Sequence, residues 1–194
     1  MVTATAILTD QFTESSSKIL STLEGIGDEE FFWEPCGGCW TLHHRSEVRT
    51  PRPDGAGEWV LDGEWEPPPD PAPVTTIAWR TAHVAAVNYL YWDYAFGPAT
   101  QTFDLEFPSN AAEAIAWLRA SQRPLLDALR SLDEVELDRP RKTNWGEERP
   151  TNWILKTLIN EQVHHGAEIS LLRDLYRNRA TLGTCQGAKG IDAR

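Results

Sequence analysis

Apolar residues recur at helical spacing over four stretches of the chain, separated by polar, proline-rich and glycine-rich segments. The last and longest stretch covers residues 151–178. Ile154, Leu158, Glu161, His165, Ile169, Leu172 and Tyr176 follow one another at steps of three or four, so all seven fall on one face of a helix. The outer members of that stripe are apolar and belong against a core. Glu161 and His165 interrupt it from within. Residues 75–96 predict a second helix, capped by Thr75 or Thr76 and stopped at Gly97-Pro98. Arg80, His83, Val87, Leu90 and Tyr94 share one of its faces, so His83 also sits among apolar neighbours. Residues 5–23 predict another helix through Ile7 or Leu8, Phe12, Ile19 and Leu23, ended by Gly25 and Gly27. Residues 110–132 complete the set. Asn110 and Glu113 fit a capping box, and Ile115, Leu118, Leu125 or Leu126 and Leu129 form the stripe. Pro124 inside this pattern predicts a kink or a split.

The intervening segments carry other signals. Residues 28–33 fit a short helical turn capped by Asp28. Residues 35–74 hold many of the prolines, with glycine-rich pieces and Trp40, Trp59 and Trp65 between them. Such a composition cannot continue a helix, so a long ordered excursion is expected, with a short hairpin around residues 59–65. Residues 133–150 read as a charged loop, and residues 181–194 as a loose glycine-rich tail. No strand pair is otherwise predicted. The fold expected is all-α, a four-helix bundle within a single domain over residues 1–180.

Composition narrows the function classes. The 194 residues carry a net charge of −11, which disfavours a nucleic-acid-binding surface or attraction to an anionic membrane. No apolar run approaches the roughly 20 residues that span a bilayer. The first residues, MVTATAILTDQF, lack a basic region followed by an apolar one. Three cysteines do not make a disulfide framework. The expectation is a soluble, cytoplasmic protein whose partner is a small molecule.

Glu161 and His165, four apart on one helix, can point at one shared ion, and a buried charge there needs a partner. An ordinary buried histidine–glutamate pair answers equally well to that spacing. Adding His83 from a second helix gives three ligands, enough to hold a divalent metal and leave positions open for water or substrate. Imidazole and carboxylate suit zinc, nickel, iron or manganese. His164 lies about 100° round the helix from His165, either beside the site or on a solvated face. Glu168, four residues after it, can orient His164 or close the rim. Arg80, one turn before His83, is either a clamp for a substrate carboxylate or simply ion-paired. Tyr91 and Tyr94 are candidate donors, with core packing as the alternative.

Residues 77–83, IAWRTAH, taken with residues 160–169, NEQVHHGAEI, resemble the DinB-like superfamily of metalloproteins, which includes mycothiol-dependent maleylpyruvate isomerase and related bacterial thiol S-transferases. The resemblance extends over about residues 5–178. It implies a four-helix bundle with a metal, zinc or nickel foremost, on His83, Glu161 and His165. A glutamate at position 161 matches the isomerase-like branch. The resemblance further implies a thiol cofactor, mycothiol or bacillithiol, transfer or isomerisation of small electrophiles, and a homodimer. Metal-dependent hydrolysis and a non-catalytic metal-binding or interaction bundle are the alternatives. In the proposed enzyme Arg80, Tyr94 and His164 are the candidate catalytic residues. Trp33-Glu34-Pro35 and Cys39-Trp40 resemble the family's link into its second helix. The excursion over residues 45–73 departs from that pattern and leaves the shape of the pocket open.

One further motif competes. Cys36 and Cys39 form a C-x2-C followed by His43 and His44, which resembles half of a zinc knuckle. The same spacing can be redox-active, and the two glycines between the cysteines also suit a plain tight turn.

Overall fold

The structure, a computed structural model, describes residues 2–63 and 69–182. Most of the chain is helical, as the periodicity predicts. Helix α1 (Ala4–Thr22) starts at Thr3, whose side chain accepts from the Ala6 amide. A short helix α2 (Asp28–Phe31) follows. Helix α3 (Ile77–Phe96) is capped by the Thr76 hydroxyl, which accepts from the Trp79 amide. Helix α4 is Ala111–Ser131 and helix α5 is Thr151–Arg177. Among the long helices α1 packs on α5 and α4, and α3 packs on α4 and α5.

Several local expectations change. Pro124 does not split α4, which runs unbroken; Leu118, Leu125 and Leu129, on both sides of the proline, are all buried in the core. Asp28 does not cap its own helix. Its carboxylate instead accepts from the Ala111 amide, 2.9 Å away, at the start of α4. Residues 133–150 are not merely a loop. Strand β3 (Pro140–Lys142) pairs antiparallel with β4 (Glu148–Pro150), and Gly146 turns between them at φ +88°, a region glycine enters without steric cost. The excursion also contains a strand pair, with a register other than the local hairpin expected. β1 (Leu42–His44) pairs with β2 (Trp59–Leu61), matching Leu42 with Leu61 and His44 with Trp59. Residue 65 and the 181–194 tail lie wholly or largely outside the described residues.

The excursion is held on α3. The Trp40 amide donates to the Val74 carbonyl (2.9 Å), and the Thr76 amide donates to the Trp40 carbonyl (3.0 Å). Ala78, Ala82, Ala85 and Ala86 let neighbours approach α3 closely, and its first half is buried except at the half-buried Arg80 and His83. A helix apolar around so much of its circumference is covered on several sides. Here the helices cover one side and the excursion another.

Two apolar layers result. One contains Ile19, Leu23, Phe31, Leu61, Ile77, Trp79 and Ile169. The other contains Phe12, Val87, Leu125, Leu129, Ile154 and Leu158. A polar seam lies where they meet. The Ser16 hydroxyl (3.0 Å) and the Gln122 amide (2.8 Å) both donate to Gln162 Oε1, and Asn88 donates to Ser121. On α5 the residues between the layers are Glu161 to His165. No helix among the described residues is long and apolar enough to cross a membrane. Val163 and Leu171, absent from the predicted stripe, are exposed on α5.

Candidate metal centre

Glu161 and His165 project from α5 toward α3, where His83 meets them. His83 Nε2 lies 3.3 Å from Glu161 Oε2, and His165 Nε2 lies 3.2 Å from the same oxygen. One ligand atom from each residue falls within a 4.8 Å group. Donors at about 2.0–2.1 Å from a tetrahedral ion stand about 3.4 Å apart, so each imidazole nitrogen stands from the shared carboxylate oxygen at the spacing such a shell requires.

Protonation sharpens the fit. His165 Nδ1 lies 2.7 Å from Glu168 Oε2. A neutral imidazole has one N–H to share between two carboxylates. Arg80 Nη1 also reaches Nδ1, at 3.1 Å: with the proton on Nε2 the ring donates to Glu161 and accepts from Arg80, and with the proton on Nδ1 it donates to Glu168 and turns the Nε2 lone pair toward the Glu161 oxygen. The second form calls for a cation between Nε2 and that oxygen, or for a second proton on the ring. For His83 burial disfavours the second proton, pulling its pKa below the ordinary histidine value. Hydrogen bonding from His165 first and His83 next holds the Glu161 carboxyl well below the usual carboxylate range, against the opposing effect of burial. The site therefore presents an ionised carboxylate and two imidazoles, a donor set suited to a divalent metal.

A surrounding layer fixes these groups. The Trp79 ring stacks flat on His83, with centroids 4.7 Å apart and planes 10° from parallel. Its indole N–H donates to the Asp62 carbonyl at 2.7 Å, which anchors the excursion beside the site. The Asp62 carboxylate accepts from the Thr41 amide and lies 2.8 Å from His43 Nε2. On the opposite flank Arg80 Nη1 lies 2.9 Å from Glu168 Oε2. Burial lowers the Arg80 pKa, and the charges of Glu168 and then Glu161 work against that shift.

The other predicted residues distribute unevenly. Arg80 is at the site but already paired with Glu168. His164 is exposed, stacks on His165 with centroids 4.7 Å apart, and lies 3.1 Å from Glu168 Oε1. Tyr94 is eleven residues beyond His83 along the same helix, about 16 Å at the helical rise, and so is not brought to the ligands. Tyr91 packs against Trp145; burial and the charge of Glu161 raise its pKa. His164, His165 and Glu168 form a second possible ligand group. It is the poorer one, because Arg80 already neutralises Glu168 and repels a cation there. His43 and His44 do not join the cysteines. His43 is with Asp62, and His44 bonds Ser46.

Sequence reasoning missed the supporting residues. The sequence reading lets Glu168 orient His164 or close the rim but does not pair it with His165, although its i+3 spacing from that residue is a usable signal. Trp79 was one more apolar helix residue. Asp62 lies in a segment without period, where nothing in the sequence joins it to α3. A hollow of about 600 Å³ lies between α1 and α5, lined by Ser15, Ile19, Gln162 and Gly166 among others. His83, Glu161 and His165 do not line it, and it plays no part in their chemistry.

A mostly helical protein with two histidines and a glutamate gathered from two helices is thus defined. Residues 11–169 match the family model of the DinB superfamily. The chain belongs to the DinB superfamily. A comparison with curated proteins returned no match.

Proposed function

We propose that this protein is a divalent-metal-dependent enzyme that uses a low-molecular-weight thiol, mycothiol or bacillithiol, to transfer or isomerise small electrophilic substrates. The supporting observation is the convergence of two imidazole Nε2 atoms on one ionised oxygen of Glu161. In this reading His83, Glu161 and His165 hold zinc or nickel, and the four long helices are a DinB-like bundle elaborated by the 35–74 excursion. A divalent ion held there would supply Lewis acidity, lowering the pKa of a thiol or water so that it ionises at neutral pH.

The chain's own residues supply the remaining conditions. Glu168 keeps the proton of His165 on Nδ1 and so presents Nε2 as a ligand. Trp79 shields one face of His83 from water. Arg80 balances the charge of Glu168, and an anionic substrate reaching this flank would compete for it. His164, at the exposed rim, is placed to pass a proton between the site and solvent.

The test begins with metal content in protein purified without chelator, for wild type and His165→Ala. Near-stoichiometric metal in the wild type, lost in the variant, is expected; metal retained in the variant would overturn the site. Turnover of an electrophile should then need both metal and added thiol. Turnover in water without thiol would replace this reading by a metal-dependent hydrolase. Unfolding of the chelated protein would instead make the metal structural.

A further inference from the structure

The C-x2-C motif remains outside this chemistry. In the turn after α2, Cys36 Sγ and Cys39 Sγ lie 3.7 Å apart. Cys36 is exposed and Cys39 is buried. Gly38 between them adopts φ +81°, and neither Gly37 nor Gly38 has a neighbour within 4 Å of where a Cβ would stand. Packing therefore does not dictate the glycines; the turn that brings the sulfurs together requires a residue free to enter positive φ. The pair also lacks a completed metal shell. Among the described residues no group of three or more ligands includes either cysteine, and His43 and His44 are engaged elsewhere.

We propose that Cys36 and Cys39 form a dithiol that exchanges with small disulfides and closes reversibly to a Cys36–Cys39 disulfide. The asymmetry assigns the roles. The exposed Cys36 thiolate attacks one sulfur of a disulfide RSSR, the S–S bond breaks, and RS⁻ leaves as Cys36 becomes a mixed disulfide. Cys39 then attacks the Cys36 sulfur, expelling the second RS⁻. Two protein thiols are oxidised, RSSR is reduced to two RSH, and the two thiol protons end on those products. Closure brings the sulfurs from 3.7 Å to about 2.05 Å, within reach of side-chain rotation in an unpacked turn. Before exchange the Cys39 S–H points at the Cys36 carbonyl, 3.1 Å away, and burial pushes the Cys39 thiol up to about 11. The inner thiol is thus held in reserve, protonated, until the outer one has reacted. The site is independent of the proposed metal reaction, although Cys39 directly precedes Trp40, whose ring lies 6.2 Å from that of Trp79.

The test uses Cys185→Ser as the parent, so that only this pair can react. The protein is incubated with oxidised glutathione, trapped with a maleimide, and weighed intact and as peptides. The expected parent product is a Cys36–Cys39 disulfide with no retained glutathione, reopened by dithiothreitol. Cys39→Ser should hold one glutathione on Cys36, and Cys36→Ser should react roughly tenfold more slowly or less. A stable glutathione adduct in the parent, or two thiols still open to the maleimide, would overturn the proposal. So would thiols that become reactive only after a chelator is added, which would indicate a metal. These outcomes are read in the parent itself and survive any misfolding of the serine variants.

Discussion

Helix α5 carries two charged clusters into the interior, and they are built in opposite ways. Near its C-terminal end, Arg173 meets Glu30 of α2. Its Nε and Nη2 donate to the two carboxylate oxygens at 2.7 and 3.2 Å, and Nη1 donates to the carbonyls of Thr22 and Glu24. Donors face acceptors throughout, so the cluster is complete as it stands. Two turns earlier, the Nε2 atoms of His83 and His165 converge on one oxygen of Glu161. The first arrangement ties α5 to the end of α1 and to α2. The second has two settings: the imidazoles donate to Glu161 when their protons sit on Nε2, and present lone pairs to a cation when they do not. Burial of charge alone does not separate a staple from a site; the direction in which donors and acceptors point does.

Breaking the staple should have the largest effect. Arg173→Ala leaves the Glu30 carboxylate buried and unpaired, and should cost about 3–5 kcal/mol of stability in a urea melt. Metal content of the protein that remains folded should not change. Replacing both partners, Arg173→Met with Glu30→Leu, should recover most of the loss, because a satisfied ion pair and an apolar pair differ little once both charges are gone.

The converse holds at the other cluster. Glu161→Gln removes the oxygen charge on which both imidazoles converge. Metal affinity, measured by competition with a chromogenic chelator, should fall at least about 100-fold, while the metal-free protein, in which the amide oxygen still accepts from the imidazoles, loses about 1–2 kcal/mol. A loss of several kcal/mol in the metal-free variant would show that this cluster, too, is a structural staple.

Glu168 tests the layer behind the ligands. With Glu168→Ala, His165 loses the acceptor that fixes its tautomer and Arg80 loses its partner, so metal affinity should fall about 10–100-fold. Glu168→Gln keeps an acceptor for His165 Nδ1 and should restore part of that loss. If alanine and glutamine behave alike, the residue acts by its charge on Arg80 rather than by orienting the imidazole.

The legibility of these regions differed for a physical reason. Helix periodicity is a local property, so the stripe through Ile154, Leu158, Glu161, His165 and Ile169 could be read directly, as could the caps at Thr76 and Asn110. Cross-chain partnerships have no such period. Asp28 was read as the cap of its own helix but serves α4, 83 residues away. The strand pair between residues 42–44 and 59–61 was invisible because three-residue strands carry too little alternation to register. The split allowed for at Pro124 does not occur, since propensity predicts the cost of a helical proline but not the packing that offsets it. Glu30 and Arg173 left no sequence signal at all, being ordinary charges until the fold makes them neighbours.

The smallest effect, a pH dependence in the metal-free protein, reaches the same contrast from the proton side. Burial holds the folded-state pKa of His83 below its ordinary value of 6.5. Between that lowered value and 6.5 the unfolded chain binds a proton that the native one refuses. Stability should therefore rise with pH across this window and fall as the solution is acidified below 6.5, by at most about 1.4 kcal/mol per pH unit. Glu161 adds a separate loss at lower pH. Its folded pKa is depressed, so its contribution is present above the ordinary carboxylate value and disappears as pH falls through the depressed one. Thermal melts of chelator-treated protein between pH 5 and 7.5, compared with His83→Gln, isolate the first window. The variant should flatten the slope there. A slope that becomes more positive in the variant would mean that His83 enters the interior already carrying its second proton, in which case the cluster closes on itself as donors against an acceptor, in the manner of Arg173 and Glu30, and needs no metal to explain it.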